Sequence, residues 1–184
     1  MCHYIQARCV TSKARALLID ASQRQLLWSL VPKALLMTSL LVPPTGIGCQ
    51  LFLAEHRSGR PLGQLALDPV RPAADLAFTH SVLGTPVLDR YVWRAGPFGW
   101  RAHLVEERFQ GEGYGLPSSA GPGETLVRDG KGWRLYLDRL VDPLVVAPLP
   151  AQSMRLVMQD NTEILLGSLS QQSVEIRAQH CPNP

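Results

Sequence analysis

From residue 51 onward the chain is written in short apolar segments set apart by turn residues. LFLAEHR (51–57) and RPLGQLAL (60–67) flank Ser58-Gly59. TLVR (125–128) and WRLYLD (133–138) flank Asp129-Gly130-Lys131-Gly132, and MRLVMQ (154–159) and TEILL (162–166) flank Asp160-Asn161. Each pair reads as a β-hairpin, because Gly and Asn tolerate the positive φ that tight turns require. ADLAFTH (74–80) is a strand running into a turn. In PVLDRYVW (86–93) Val87, Asp89, Tyr91 and Trp93 share one face, and Leu88, Arg90 and Val92 share the other. GPFG (96–99) reverses the chain and RAHLVEERF (101–109) resumes it. Strict alternation there puts His103, Glu107 and Phe109 on one face and Glu106 with Leu104 on the other. SVEIRA (173–178) is the last strand, and 111–124 is a Gly/Pro/Ser loop. The pattern predicts an all-β fold, a small antiparallel β-sandwich or partly open barrel with one core.

Before residue 43 the period changes. Apolar residues run through LLWSLVPKALLMTSLLV (26–42), interrupted by Pro32 and Lys33, and ALLMTSLLV (34–42) has the length of a signal-peptide apolar region. Gly46 and Gly48 supply small residues for cleavage before Cys49. The expected organisation is a targeting or anchor segment, a hydrophobic helix, over 1–48, an all-β domain over 49–178, and a disordered tail over 179–184. An uncleaved segment would hold the chain to the membrane. A cytosolic amphipathic helix packed on the body is the competing reading.

Charge divides the same way. Residues 1–48 hold Arg8, Lys13, Arg15, Arg24 and Lys33 against Asp20, whereas residues 49–184 hold 13 Lys/Arg against 14 Asp/Glu. Basic residues ahead of the apolar run favour an N-in orientation, which places the body in the periplasm or on the outer face of the cytoplasmic membrane. With no basic surplus in the body, nucleic acid is not expected as a partner. Fifteen Pro and fifteen Gly with only 18% charged residues favour short strands joined by loops. Cys49 and Cys181 stand at the two ends of the body. An oxidising compartment would let them pair if those ends are neighbours, and Cys49 is alternatively a lipidation site.

Two motifs carry the most information: FTHSVLGTPVLDRYVW (78–93) and RFQGEGYGLP (108–117). In that order and separation they resemble the domain of unknown function 1850 family of small bacterial proteins, over roughly residues 50–178. The family pattern is aromatic-x-His-Ser-Val followed by Thr-Pro-Val-x-acid. Thr85, Pro86 and Val87 fit it, Asp89 stands where Glu is commoner, and Leu83 departs from a usual acid. Members are often encoded beside tripartite periplasmic uptake transporters with TAXI-type binding proteins. The resemblance therefore implies an accessory role in solute uptake, with a transporter subunit, a solute-binding protein or a small-molecule ligand as partner.

The same residues define the candidate site: His80, Ser81, Thr85, Asp89, Gly113, Tyr114, Gly115, Leu116 and Pro117. His80 is either a base or ligand oriented by Asp89, or an imidazole bonded to a loop carbonyl while Ser81 caps the turn. A Ser81 nucleophile is disfavoured because adjacent residues on an extended chain point to opposite faces. The glycines at 111–115 permit positive φ and close backbone approach, and Tyr114 would line a pocket with His80. No Lys-Ser/Thr follows, so no phosphate loop is expected. A metal site from His80, His103 and Glu107 would require their strands to pair, and no Cys/His spacing suggests zinc. No catalytic residue, metal or cofactor is assigned. Three readings stand: a non-enzymatic accessory or binding domain, a small hydrolase or metal-dependent enzyme centred on His80, and a structural envelope module. The binding and structural readings expect the His80–Ser81 turn and the Gly113–Pro117 loop to meet, and the enzyme reading needs a pocket where His80 meets Asp89, His103 or Glu107.

Overall fold

The computed structural model describes residues 48–182. The expected targeting or anchor segment, up to residue 47, lies outside the described residues. Eleven strands follow: β1 Gln50–Glu55, β2 Pro61–Ala66, β3 Ala73–Thr79, β4 Pro86–Gly96, β5 Gly99–Phe109, β6 Thr125–Asp129, β7 Gly132–Val141, β8 Leu144–Val146, β9 Arg155–Met158, β10 Glu163–Leu165 and β11 Val174–Gln179. They form two antiparallel sheets, β2-β1-β11-β8 and β10-β9-β3-β4-β5-β7-β6. The architecture is a two-sheet β-sandwich, and the seven-stranded sheet does not close into a barrel.

All three hairpins form where the turn residues stand, as β1–β2, β6–β7 and β9–β10. Alternation explains which side chains go inside. Leu51 and Leu53 of β1, Val174, Ile176 and Ala178 of β11, Ala74 and Leu76 of β3, Tyr91 and Trp93 of β4, and Leu135 and Leu137 of β7 are buried in one core. The chain crosses between sheets after β2, β7, β8 and β10, so the core is built from residues far apart in sequence.

Three short elements escaped the sequence pattern: β8, a 3-10 turn at Pro150–Gln152 and a single helical turn, α1, Leu166–Leu169. Each is too short to show a period. Residues 179 and 181 of the expected tail belong instead to the body. Gln179 belongs to β11, where it pairs with Gln50, and Cys181 is joined to Cys49 by a disulfide across 132 residues.

A larger correction concerns β5. Register shifts between Arg90 and Tyr91 opposite it on β4, and between Leu104 and Glu106 on β5 itself, mark a bulge at Val105. One extra residue inverts the alternation beyond it. Leu104 therefore faces the core while Glu106 faces outward, and His103 lies on the face opposite Glu107. Glu107 and Phe109 share a face as expected, but His103 does not join them, and Glu106 and Leu104 lie on opposite faces.

Candidate functional site

The register defines a row of side chains running across the core face of the large sheet. Leu156 stands opposite Leu76, Leu76 opposite Asp89, Asp89 opposite Glu107, Glu107 opposite Leu135, and Leu135 opposite Leu126. Four leucines are thus interrupted at the centre by two carboxyl groups. Directly opposed residues on antiparallel strands have Cβ atoms about 5 Å apart. Opposite carboxylates repel at that range, and apolar surroundings raise the cost of ionising both. Burial and the Glu107 charge push Asp89 up from 3.8 to about 7. Burial also raises Glu107, against a smaller opposing pull from the Arg139 charge. Tyr91, next along the same face, is raised as well, by its own burial first and then by the two acids.

Neither acid is satisfied by its neighbours. Asp89 Oδ1 and Glu107 Oε2 are sealed from solvent and accept no hydrogen bond. A buried acceptor left in that state costs about 1–3 kcal/mol, so the fold retains two such atoms at one place against a standing penalty. They sit beside a cavity of about 240 Å3. Its apolar wall includes Phe78, Val87, Phe109 and Leu116, and its rim includes His80, Ser81, Tyr114 and Pro117.

The two sequence motifs supply that rim. From the end of β3 the chain turns through 80–85, with the His80 amide donating to Thr85 O and the Gly84 amide to His80 O. The amides of Val82 and Leu83 both donate to His80 Nδ1 at 3.2 Å. Two donors on Nδ1 require it to be the acceptor nitrogen, so Nε2 carries the proton and donates to Tyr114 O, 3.2 Å away. Thr85 adds a second tie, its hydroxyl donating to Gln110 O at 2.7 Å. On the loop side Gly113, Tyr114 and Gly115 have φ of 77°, 54° and 92°. That left-handed run curls the backbone and turns the Tyr114 carbonyl toward the imidazole, which is why glycines flank the tyrosine.

Thr85, Pro86 and Val87 play different parts. Thr85 locks the turn, Pro86 opens β4, and Val87 enters the core. Ser81 is exposed at the rim and makes no side-chain hydrogen bond among the described residues. Asp89 lies in the same cavity wall as His80 but is not hydrogen-bonded to it. The imidazole has both nitrogens committed to backbone and does not serve as the partner of a carboxylate.

His103 is elsewhere. It bonds Asp138 through Nδ1 at 2.8 Å on the outer face, where Arg94 shares the same carboxylate. The conjectured trio of His80, His103 and Glu107 is therefore not assembled, and no group of three or more His, Cys, Asp or Glu suited to a metal occurs among the described residues. The outer face is otherwise self-paired. Arg90 clasps Asp75 with two bonds of 2.8 Å, Glu106 binds Arg108, and Arg134 binds Asp129. A larger hollow, about 770 Å3, opens at the Asp75–Arg90 pair, but its charges already satisfy one another.

Five lining residues were not singled out as site residues from the sequence: Phe78, Val87 and Phe109 of the apolar wall, Glu107 and Gln152. Glu107 was read only as a possible metal ligand with His103, and Gln152, on the 3-10 turn, was not read at all. A signal for Glu107 existed, since it lies two residues from Phe109 just as Asp89 lies two from Val87 and Tyr91. Nothing local marked Gln152, which reaches the cavity only through the crossing of the chain between sheets.

The segment 74–165 matches the family described as Domain of unknown function (DUF1850). Every residue lining the cavity falls inside that segment, as does nearly all of the seven-stranded sheet. No curated protein and no solved structure is detectably similar to the chain.

Proposed function

The chain belongs to the DUF1850 family, and from that premise we propose that it is a non-enzymatic, exported binding domain whose ligand enters the cavity between the His80 turn and the Gly113–Pro117 loop. The observation that carries this reading is the pair of sealed, unpartnered oxygens, Asp89 Oδ1 and Glu107 Oε2, beside that cavity. The two carboxyl-bearing residues line a hollow with otherwise largely apolar walls, which is what a site for a small, donor-bearing molecule requires. The latch of His80 on Tyr114 holds the rim in one arrangement and lowers the ordering cost of binding.

Export is supported by the Cys49–Cys181 disulfide, which persists only under oxidising conditions, and by the apolar run 34–42 with small residues at 46 and 48. An accessory role in tripartite solute uptake, with a transporter subunit or a solute-binding protein as partner, is supported by the resemblance in residues 78–93 and 108–117. A hydrolase centred on His80 has less behind it, because a general base needs a free nitrogen and both ring nitrogens are engaged by backbone.

The test is a thermal-shift screen of small solutes on the full chain and on Leu116→Trp, which fills the cavity. The reading expects solutes that raise the melting temperature of the wild type and not of the filled variant. Equal shifts in both proteins, or none in either, count against it. Uptake of such a solute by cells lacking the gene then tests the transport role separately, and unchanged uptake removes that role while leaving the binding domain.

A further inference from the structure

The cavity selects its occupant by what it offers and what it lacks. Two carboxyl groups project from β4 and β5, and no Lys or Arg lines the wall to neutralise them. His80, the other titratable group on the rim besides Tyr114, has its nitrogens committed to Tyr114 O and to the amides of Val82 and Leu83. An anion entering here would face two acids with no counter-charge. A neutral donor would satisfy an oxygen and leave the repulsion between Asp89 and Glu107 in place. A cation held against the two carboxyl groups donates hydrogen bonds to both and removes the repulsion.

The rest of the lining separates kinds of cation. Calcium takes six to eight oxygen ligands and zinc about four strong donors, whereas the described residues hold no group of three or more candidate ligands. Much of the wall is instead carbon: Phe78, Phe109, Val87 and Leu116. Aromatic faces attract ammonium groups, and aliphatic walls bury a carbon skeleton. At about 240 Å3 the cavity falls below the usual range for drug-sized ligands, roughly 300–1,000 Å3, so the occupant is small.

We propose that the cavity binds a small organic cation, a primary or secondary ammonium solute with its charged nitrogen between Asp89 and Glu107 and its apolar body against Phe78, Phe109 and Leu116. This rests on the cavity being a ligand site, and it names the chemical class of that ligand. The geometry gives each acid a role. The opposed carboxyl groups take two N–H donors of one nitrogen, and the His80–Tyr114 latch holds the Gly113–Pro117 loop beside it.

Three probes of one shape test the proposal: benzylamine, benzyl alcohol and benzoate, with magnesium and calcium chloride as separate additions. Binding is read by NMR on the full chain with labelled methyl groups at Leu116 and Val87, titrating to about 10 mM, since millimolar affinity is expected for so few contacts. Benzylamine should shift both methyls and bind at least about tenfold more tightly than benzyl alcohol, with benzoate inert. Asp89→Asn and Glu107→Gln, combined, should erase the preference for amine over alcohol while the protein still melts cooperatively. If benzyl alcohol or benzoate binds as well as the amine, or a divalent cation alone shifts the methyls, the cavity remains a site and the ammonium assignment is wrong. If no probe of any charge shifts them, the site itself is lost, and the assignment with it.

Discussion

His80 reaches across 34 residues of sequence to donate from Nε2 to the carbonyl of Tyr114, while its Nδ1 accepts the amides of Val82 and Leu83. One imidazole therefore organises its own turn and fastens it to the loop that follows β5. His80→Ala leaves two amides and one carbonyl without these partners. We expect a loss of about 1–3 kcal/mol in urea denaturation and faster protease cleavage within 111–117. A variant as stable and as protected as the wild type would remove the latch from the account.

The disulfide supplies the second prediction. Cys49 precedes β1 and Cys181 follows β11, strands that pair from Gln50↔Gln179 to Glu55↔Val174. Cross-linking the two ends of the body restricts the unfolded chain, and a loop of this length gives a large effect on the entropic account. Cys181→Ser should lower stability by about 2–4 kcal/mol. It should also leave Cys49 free to react with a thiol reagent once the protein is unfolded. Alkylation of Cys49 in the unreduced, unfolded wild type would show that the bond is absent, and would reopen lipidation of that residue.

How far the sequence reached is visible in β4 and β5. Alternation placed Val87, Asp89, Tyr91 and Trp93 on one face, and the structure has them so, because β4 alternates without interruption along those residues. The same rule failed on β5, where the Val105 bulge inverts the face between Leu104 and Glu106. A bulge is decided by pairing with two neighbouring strands at once, and neither neighbour is local in sequence. Strand and hairpin signals were legible because Gly and Asn act within a few residues. The acid pair was not, because opposition of Asp89 and Glu107 is a property of register.

Gly132 gives a test of how tightly β7 is seated. A Cβ built there would collide with the carbonyl oxygen of Phe109 on β5, a backbone atom that cannot swing aside. Phe109 is in turn a buried wall residue of the cavity, paired with Trp133 and Val87. Gly132→Ala should cost about 1–3 kcal/mol and shift the NMR signals of Phe109 and Leu116. Gly130→Ala, in the adjoining turn, meets no atom but sits at a φ of 57°, so it should lose about 1 kcal/mol and leave the cavity signals in place. Equal perturbation of the cavity by both variants would contradict the close approach at Gly132.

The acid pair fixes how stability should vary with pH. Asp89 moves from 3.8 to about 7 on folding because it is buried opposite Glu107, with Tyr91 beside it and His80 across the cavity. A raised carboxyl pKa means that the folded state holds the proton more tightly than the unfolded chain does. The resulting stability is fully present below pH 3.8 and is lost as pH rises through about 7. Glu107, also raised, acts in the same direction. Carboxylates hydrogen-bonded on the surface act oppositely. Glu55, bonded to Arg60, Ser170 and Ser58, falls from 4.5 to about 2, so its contribution is present above pH 4.5 and lost toward pH 2. The melting temperature should therefore peak at about pH 4 and decline from there toward about pH 7, levelling off once Asp89 is ionised in both states. Asp89→Asn cannot ionise, so it should flatten that decline and melt above the wild type at pH 8. A bound ammonium ligand should do the same to the wild type, because it neutralises the charge that the mutation removes. If Asp89→Asn follows the wild-type curve between about pH 4 and pH 7, Asp89 is not the group that titrates there.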